Sequence, residues 1–515
     1  MIFWVSLGGV LMGLCPDPFR QWWWAWLGLI PLWFYTQKVK ASTAFGLGLL
    51  WGIAYHGMAL WWITGVHPMD WLGISWWHSI AIAGLVWLII TLFGALLSAL
   101  WSGGMALITP QLSTGQKIII GCALFSGLEV IWSWTPLYWT ALGYTQSPDN
   151  LWFLQISKIS GQQTVTSAIV VINALLAEGL LANNFRKYLN YFYYALLLGL
   201  LIFAYGWWEL SQNLQLTNSE PLQVGIIQGN IPNPIKVTPE GIKIAVKNYT
   251  KGYIELARSG VEMVVTPEGA IPLFYPDKYP VKEQLDQAIY QYGVPIWLGA
   301  FGRDEGGNYT NSLFFITEAQ GGLHVSARYN KVRLVPVGEY IPLREVLGGI
   351  IRRLSPLQGE VIAGRRDQLV DSPWGRMIVG ICYESAYPEH FRYQAKAGGR
   401  LILTASNNAH YAAAMPAQHH AQDVARAIET DRWAVRATNT GYSGIVDPKG
   451  RTIWQSGINT YEVHAGVVYL RDTTTLYVWL GDWLTPLLCF LSSGICAQMF
   501  IQNFMQNREN RLTSR

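Results

Sequence analysis

The chain has 515 residues, of which 51% are hydrophobic and 13% are charged. The charged fraction lies well below the roughly 25% usual for soluble domains, and the net charge of +4 is too weak and too scattered to indicate a nucleic-acid-binding protein. The first 210 residues carry 20 of the 26 tryptophans but only 13 of the 68 charged residues. Because tryptophan favours the membrane–water interface, this part is predicted to lie in a membrane and the centre to be water-soluble.

Apolar segments predict how the chain crosses the membrane. A bilayer core of about 30 Å needs roughly 20 apolar residues in a helix. The sequence predicts seven spans before the charged centre and one after it, at residues 1–15, 22–37, 42–64, 74–100, 118–140, 158–181, 191–210 and 476–501. Basic residues follow spans two, four, six and eight, on the side taken as cytoplasmic. The centre is therefore predicted on the outer side, which for a bacterial inner membrane means the periplasmic face. A count of six spans before the centre would instead place it on the opposite side.

Four parts are predicted: a membrane domain at 1–210, an α/β domain at 218–472, a C-terminal transmembrane helix at 476–501 and a basic cytoplasmic tail at 502–515. Strand patterns in the α/β domain alternate with helical ones, which is typical of layered α/β folds. The predicted strands are 222–228, 262–266, 295–300, 311–317, 324–330, 376–382, 401–406, 433–438 and 443–446. The predicted helices are 236–259, 282–292, 388–397 and 415–429.

Three residues at the ends of predicted strands carry the chemistry. Cys382 lies in Gly-Ile-Cys-Tyr-Glu-Ser, Glu268 in Thr-Pro-Glu-Gly, and Lys331 in Tyr-Asn-Lys-Val. A thiol is mostly protonated near neutral pH and needs a nearby base or cation to become a nucleophile. Taken alone, each residue also fits a structural role. Taken together, they predict a base, a cation and a nucleophile.

The order and contexts of these residues resemble the nitrilase superfamily, which implies a four-layer α–β–β–α sandwich. The runs at 228–232, 401–409 and 418–443, with the flanking spans, make the whole chain similar to the bacterial apolipoprotein N-acyltransferase family. That resemblance implies that Cys382 takes an acyl chain from a phospholipid as a thioester. The α-amine of the S-diacylglyceryl-cysteine of an apolipoprotein then accepts the chain.

The resemblance also implies where and with what the protein works. It implies a multi-pass protein of the bacterial inner membrane, with the catalytic domain on the periplasmic side. We expect a monomer that uses no cofactor and no metal. The expected partners are the phospholipid donor, the diacylated apolipoprotein acceptor and the bilayer, and no nucleic acid.

Further site residues follow from the same resemblance. Lys331 would stabilise the oxyanion together with a backbone N–H near Cys382 or Tyr383. Glu339, in Pro-Val-Gly-Glu-Tyr, would orient the lysine or assist proton transfer. Tyr383 and Glu384 are expected to support the site, with Glu384 bonding the substrate or the lysine.

The chain departs from the family at two places. His410 and Tyr411 stand where the family commonly has Trp and Phe on a lid loop near the lipid entrance, and Val237 stands where it often has Trp. The departures bear on the lid and on lipid preference, and leave the three catalytic positions intact. His419 and His420 are interpreted as polar residues at a helix start, because adjacent helical side chains point about 100° apart and cannot easily share a metal.

The other polar residues are given structural roles. Arg426, Glu429 and Arg436 are expected to form ion pairs. Glu129, inside the fifth predicted span, is expected to face the helix bundle and to bond a Trp or a backbone group.

Two other functions fit parts of the sequence. A membrane-anchored amidase or nitrilase would use the same three residues, with water instead of an amine resolving the thioester. A catalytically silent membrane scaffold or transporter would need none of them. The presence of all three argues for an enzyme.

Overall fold

The computed structural model describes residues 1–108, 112–214, 221–336, 338–340, 361–409 and 411–513. The chain divides into two compact units. The first, here called the helical unit, comprises Met1–Trp61, Val86–Trp208 and the chain from Leu480 onward. The second, the α/β unit, comprises Glu209–Trp479 and also Trp62–Leu85, a stretch from within the predicted membrane domain.

Helices make up most of the N-terminal part and flank the strands of the centre. In chain order they are α1 (Ile2–Gly13), α2 (Ile30–Thr36), α3 (Ala41–Ala59), α4 (Trp76–Ile108), α5 (Thr114–Ser133), α6 (Leu151–Leu154), α7 (Ser157–Ser160), α8 (Gln162–Leu181), α9 (Phe185–Ser211), α10 (Pro239–Arg258), α11 (Glu283–Tyr292), α12 (Pro388–Lys396), α13 (Ala414–Thr430), α14 (Leu476–Leu480) and α15 (Leu484–Thr513).

Among the described residues, five helices are long and apolar enough to cross a membrane: α4, α5, α8, α9 and the Leu484–Gln506 part of α15. The first two predicted spans contain shorter helices, since α1 has 12 residues and α2 has 7. The count of eight spans stays a prediction.

Glu129 shows how the helical unit accommodates a buried carboxyl group. Its side chain lies inside α5 and is 1% exposed. It accepts hydrogen bonds from the backbone N–H of Leu142 at 2.6 Å and from the hydroxyl of Thr166 at 2.8 Å. Burying such a group without donors would be costly. The expectation that Glu129 faces the bundle and bonds a backbone group is confirmed.

Two β-sheets form the centre of the α/β unit. Their strands are β1 (Pro221–Gln228), β2 (Met263–Val265), β3 (Ile271–Phe274), β4 (Ile296–Arg303), β5 (Tyr309–Ala319), β6 (Gly322–Asn330), β7 (Val370–Ser372), β8 (Gly375–Ile381), β9 (Leu401–Ser406), β10 (Ala434–Thr438), β11 (Gly444–Val446), β12 (Thr452–Gln455) and β13 (Glu462–Tyr469). The first sheet has the order β13-β1-β2-β4-β5-β6, with β3 paired to β4, and the second has the order β12-β11-β10-β9-β8-β7.

The alternation of side chains along the strands explains the layers. On β1, Val224 and Ile226 point into the core between the two sheets, while Ile227 points to the opposite face, where α10 and α11 pack. On the second sheet, α12 packs on β8, and α13 packs on β10 and β11. A strand that is buried on both faces has a continuous apolar sequence. The predicted four-layer α–β–β–α sandwich is confirmed.

The sequence prediction missed four strands and misplaced one strand end. Strands β3, β7, β12 and β13 were not predicted. Of these, β13 pairs antiparallel with β1 along its whole length and completes the first sheet. Ala465 and Gly466 in its centre weaken its strand pattern, because small residues have little to pack on a pleated surface. The strand predicted to include Cys382 ends at Ile381, and Cys382 begins a 3-10 turn that runs to Ala386.

Gln228, at the end of β1, joins the two sheets. Its amide donates to the carbonyl of Gly457 at 2.7 Å. Its oxygen accepts hydrogen bonds from the hydroxyl groups of Thr438, Ser443 and Ser456, at 3.0, 2.7 and 2.8 Å. A single buried amide thus satisfies polar groups from several strands and loops.

We expect Gln228→Leu to destabilise the α/β unit. Each buried hydroxyl or carbonyl left without a partner costs about 1–3 kcal/mol, so the thermal midpoint of the full chain in detergent should fall by roughly 5–10 °C. Gln223→Leu, at an exposed position of the same strand, is the control and should leave the midpoint within about 1 °C. Equal midpoints for the two variants would contradict this assignment.

Candidate active site

The three predicted catalytic residues lie where strands end. Glu268 follows β2, Lys331 comes directly after β6, and Cys382 comes directly after β8. All three are buried, with 9%, 1% and 6% of their surface exposed. Glu268 and Lys331 come from the first sheet and Cys382 from the second, so the site needs both sheets.

Lys331 lies between two carboxylates. Its ammonium nitrogen is 2.8 Å from Oε1 of Glu268 and 2.9 Å from Oε2 of Glu339. The side-chain amide of Asn311 donates to Oε1 of both, at 2.7 and 2.9 Å. The backbone N–H of Asn407 donates to the other oxygen of Glu268 at 2.9 Å. The sequence predicted the lysine and both glutamates but missed the two asparagines.

The charges of this cluster support one another. Burial raises the pKa of Glu268, but the charge and hydrogen bond of Lys331, with help from Lys236 and Asn311, hold it below its ordinary value. Burial lowers the pKa of Lys331, but Glu268 and Glu339 outweigh it and raise the pKa above its ordinary value. Near neutral pH, Glu268 is therefore a carboxylate able to accept a proton, and Lys331 is a cation.

Cys382 is protonated near neutral pH. Burial, followed by the negative charge of Glu268, raises the pKa of its thiol to about 12, while Lys331 opposes the shift. Its φ of 54° lies in the left-handed region, which is rare for residues other than glycine and is found at functional sites. To react as a nucleophile, the thiol therefore needs a base. Glu268 is a buried carboxylate whose charge affects the pKa of this thiol.

His419 supports the turn that carries the thiol. Its Nε2 is 2.7 Å from the carbonyl oxygen of Cys382, and its Nδ1 is 3.1 Å from the amide nitrogen of Asn408. Burial lowers the pKa of His419 to about 3, so the ring is neutral, with Nε2 donating to the carbonyl and Nδ1 accepting. The interpretation of His419 as a polar helix-start residue was wrong, because it is fully buried within α13.

Glu384 has a structural task. Its carboxylate accepts from the backbone N–H groups of Ile381, Val332 and Arg333, at 2.6, 2.5 and 3.0 Å, and from the hydroxyl of Tyr329 at 2.9 Å. None of the described hydrogen bonds of Glu384 reaches Lys331, and the expected contact with the substrate stays a prediction. The carboxylate instead ties the loop that follows the lysine to the turn that carries the nucleophile.

Two tyrosines follow Cys382 in the chain. Tyr383 is half-buried, and its ring meets that of Tyr387 edge-on at a centroid distance of 5.3 Å. The guanidinium of Arg333 lies over the ring of Tyr387, 4.5 Å from its centroid. A half-buried tyrosine next to the thiol can contact an entering substrate.

The predicted lid loop is described in part. His410 lies outside the described residues. The ring of Tyr411 packs edge-on against Trp62 at 5.1 Å, and the indole N–H of Trp62 donates to the side chain of Gln418 at 3.1 Å. Val237 is 62% exposed. Trp62 is a further residue of this region that sequence reasoning missed.

The predicted ion pairs are confirmed. Arg436 pairs with Asp423, and Arg426 pairs with Glu429 at 2.9 Å, all fully buried.

The Nε2 of His420 bonds the hydroxyl of Thr452 at 2.9 Å. Within the described part of the chain, no group of three His, Cys, Asp or Glu side chains could hold a metal ion.

Two family models match the chain. The one described as carbon-nitrogen hydrolase covers residues 223–473, and the one described as the apolipoprotein N-acyltransferase N-terminal domain covers residues 8–175. The first contains the whole cluster around Lys331 and Cys382.

Curated proteins named apolipoprotein N-acyltransferase are similar over nearly the full length. The protein of Nostoc sp. is 51% identical over 488 residues, covering 93% of this chain and 96% of the relative. The protein of Synechocystis sp. is 44% identical over 510 residues, covering 94% and 97%. That of Pseudomonas aeruginosa is 29% identical over 491 residues, covering 92% and 91%. With its apolar helices of membrane-crossing length, the chain is a membrane acyltransferase that belongs to the apolipoprotein N-acyltransferase family.

Proposed function

We propose that the protein moves a fatty acyl chain from a phospholipid to the α-amine of the S-diacylglyceryl-cysteine of an apolipoprotein, through a thioester on Cys382. The observation that carries the proposal is the buried pair of Glu268 and Lys331, 2.8 Å apart, beside a cysteine in a strained turn. It supplies a base and a cation at one nucleophile. The names of the relatives support the choice of acceptor.

The first half-reaction forms the thioester. Glu268 takes the proton of the Cys382 thiol as sulfur attacks the ester carbonyl carbon of the phospholipid. The carbonyl oxygen becomes an oxyanion, which the ammonium of Lys331 and a backbone N–H near Tyr383 stabilise. The tetrahedral intermediate then expels the lysophospholipid alkoxide, which receives the proton from Glu268. Cys382 is left acylated and Glu268 is again a carboxylate.

The second half-reaction transfers the chain. The neutral α-amine of the apolipoprotein attacks the thioester carbonyl carbon and forms the amide bond. Glu268 accepts a proton from the amine and returns it to the leaving thiolate. Over the whole cycle the thiol proton leaves with the lysophospholipid and a proton of the amine replaces it, so the protons balance and no cofactor is consumed.

Placement in the inner membrane completes the proposal. We propose a membrane domain at 1–210, a catalytic domain at 218–472 on the periplasmic side, a transmembrane helix at 476–501 and a cytoplasmic tail at 502–515, acting as a monomer. Both substrates carry acyl chains, so anchoring the site to the bilayer raises their local concentration and restricts their orientation. The lid role of His410 and Tyr411 belongs to the same proposal.

We expect phospholipid alone to leave an acyl mass on the full-length protein, seen by intact-protein mass spectrometry and removed by hydroxylamine. Cys382→Ala should never gain this mass, because it has no sulfur to acylate. Cys489→Ala, at an exposed cysteine, should acquire it like the unchanged protein. A diacylated lipopeptide should then collect the chain on its amine. Hydrolysis of amides or nitriles without any acyl adduct would instead establish the membrane-anchored amidase or nitrilase.

Replacing the base should slow the first half-reaction. Positioned proton transfer contributes about 10²- to 10⁴-fold to a rate, so Glu268→Gln is expected to lower the rate of acyl-adduct formation by that factor. The exposed Glu262, close by in sequence, provides the control Glu262→Gln, which should keep the unchanged rate. A Glu268→Gln rate within threefold of the unchanged protein would remove Glu268 from the mechanism.

The rate of acyl-adduct formation should decrease only at low pH, because the pKa of Glu268 is lowered. Because the carboxylate must be unprotonated to act, the rate should stay level as pH falls and drop only below about 4.3, the ordinary glutamate value. Asn311→Ala removes a hydrogen bond that favours the carboxylate and should move this decrease to higher pH. Rapid-quench adduct measurements at each pH test this, and a decrease above pH 5 in the unchanged protein would contradict it.

A further inference from the structure

A second lysine lies in the active site. Lys236 follows β1 and precedes α10, and only 7% of its surface is exposed. Its ammonium donates to the backbone carbonyl of Glu268 at 3.1 Å. A side chain at Gly269 would meet this ammonium at 3.4 Å, and Gly269 has a φ of 54°. The positive φ of Gly269 forms the turn after Glu268, and Lys236 lies in van der Waals reach of this turn.

The ammonium of Lys236 forms no ion pair within 4 Å with any described carboxylate, and the carbonyl of Glu268 is its described hydrogen-bond acceptor. A buried cation without a carboxylate partner is costly. Burial lowers the pKa of Lys236 to about 8, while the charges of Glu268 and Cys382 oppose the shift. The group is therefore a cation near neutral pH, held close enough to the base and the nucleophile to interact with both.

Counting charges explains what this cation can do. Glu268 and Glu339 bring two negative charges and Lys331 brings one positive charge, so these three carry a net charge of −1. Ionising Cys382 among them would add a second unbalanced negative charge. With Lys236 included, the four groups are neutral before Cys382 ionises, and a thiolate costs less to form.

We propose that Lys236 is a second cation of this active site, a positioning residue that balances the two carboxylates and thereby favours the thiolate of Cys382. The inference rests on the proposed role of Cys382 as nucleophile. Lys236 acts on the thiol across the base and also holds the backbone of Glu268, so that its carboxylate stays aimed at Lys331.

The experiment must distinguish the effect of Lys236 from that of other titratable groups near the thiol. Among the described residues, the titratable side chains whose charges or bonds reach Cys382 are Glu268, Glu339, Lys331, Lys236, Tyr411 and His419. Tyr383 and Glu384 belong to the same turn, and the Glu384 carboxylate is bound to backbone N–H groups. His419 is neutral, as its bonds require, and burial keeps both tyrosines protonated in the range tested. The effect of removing Lys236 therefore reports on the lysine charge.

The test compares Lys236→Met, which keeps the length of the side chain and removes its charge, with Lys236→Arg, which keeps the charge. Lys243→Met, at an exposed position of α10, is the matched control. Full-length protein in detergent is treated with iodoacetamide between pH 6 and 7.5, below the pKa of Lys236, without lipid. Mass spectrometry of the Cys382 peptide gives the alkylation rate, and thermal midpoints verify that each variant is folded.

We expect Lys236→Met to slow alkylation of Cys382 about tenfold throughout this range, because a smaller fraction of the thiol is then ionised. Lys236→Arg and Lys243→Met should keep the rate of the unchanged protein. Acyl-adduct formation near neutral pH should slow in the same way, and it reports on the thiol independently of reagent access. Rates of folded Lys236→Met that equal those of the unchanged protein would overturn the inference. If the unchanged protein gives neither alkylation nor adduct, the proposed nucleophile itself fails.

Discussion

A buried ammonium between two carboxylates is the interaction on which the active site depends. Lys331 is 1% exposed and contacts Glu268 and Glu339 at 2.8 and 2.9 Å. Removing one partner of a buried pair leaves an uncompensated charge, which is far more costly than the pair is stabilising. The donors that complete the cluster come from β5 and from the end of β9. The site is therefore complete only when both sheets are folded.

The nucleophile is attached to this cluster through the backbone. Glu384 binds the N–H of Ile381 on one side and those of Val332 and Arg333 on the other. The thiol turn and the lysine loop therefore move together. In both half-reactions of the proposed mechanism the oxyanion forms at the same carbon next to the same sulfur, so a fixed cation would serve each step without rearrangement.

Sequence reasoning found the residues that have a local context and missed those that have none. Glu268, Lys331 and Cys382 each end an apolar strand within a distinctive run, so their chemistry could be predicted. Asn311 sits in the middle of a strand and gives no such signal. Asn407 acts through its backbone N–H, which no side-chain pattern reveals. A layered α/β fold followed from the alternation of strand and helix patterns, and its four layers from the family resemblance, whereas β13 was missed because small residues interrupt its pattern.

The α/β unit is not one continuous stretch of the chain, because it includes Trp62, which lies far before the rest of the unit in the sequence. This residue belongs to that unit by its contacts, yet more than 300 positions separate it from Gln418, which accepts its indole N–H. The neighbour of Gln418 is the histidine that holds the Cys382 carbonyl. A soluble fragment cut after α9 would contain every ionisable group of the cluster but would lose this indole. A truncated enzyme that fails to react would therefore not prove that lipid contact alone is required.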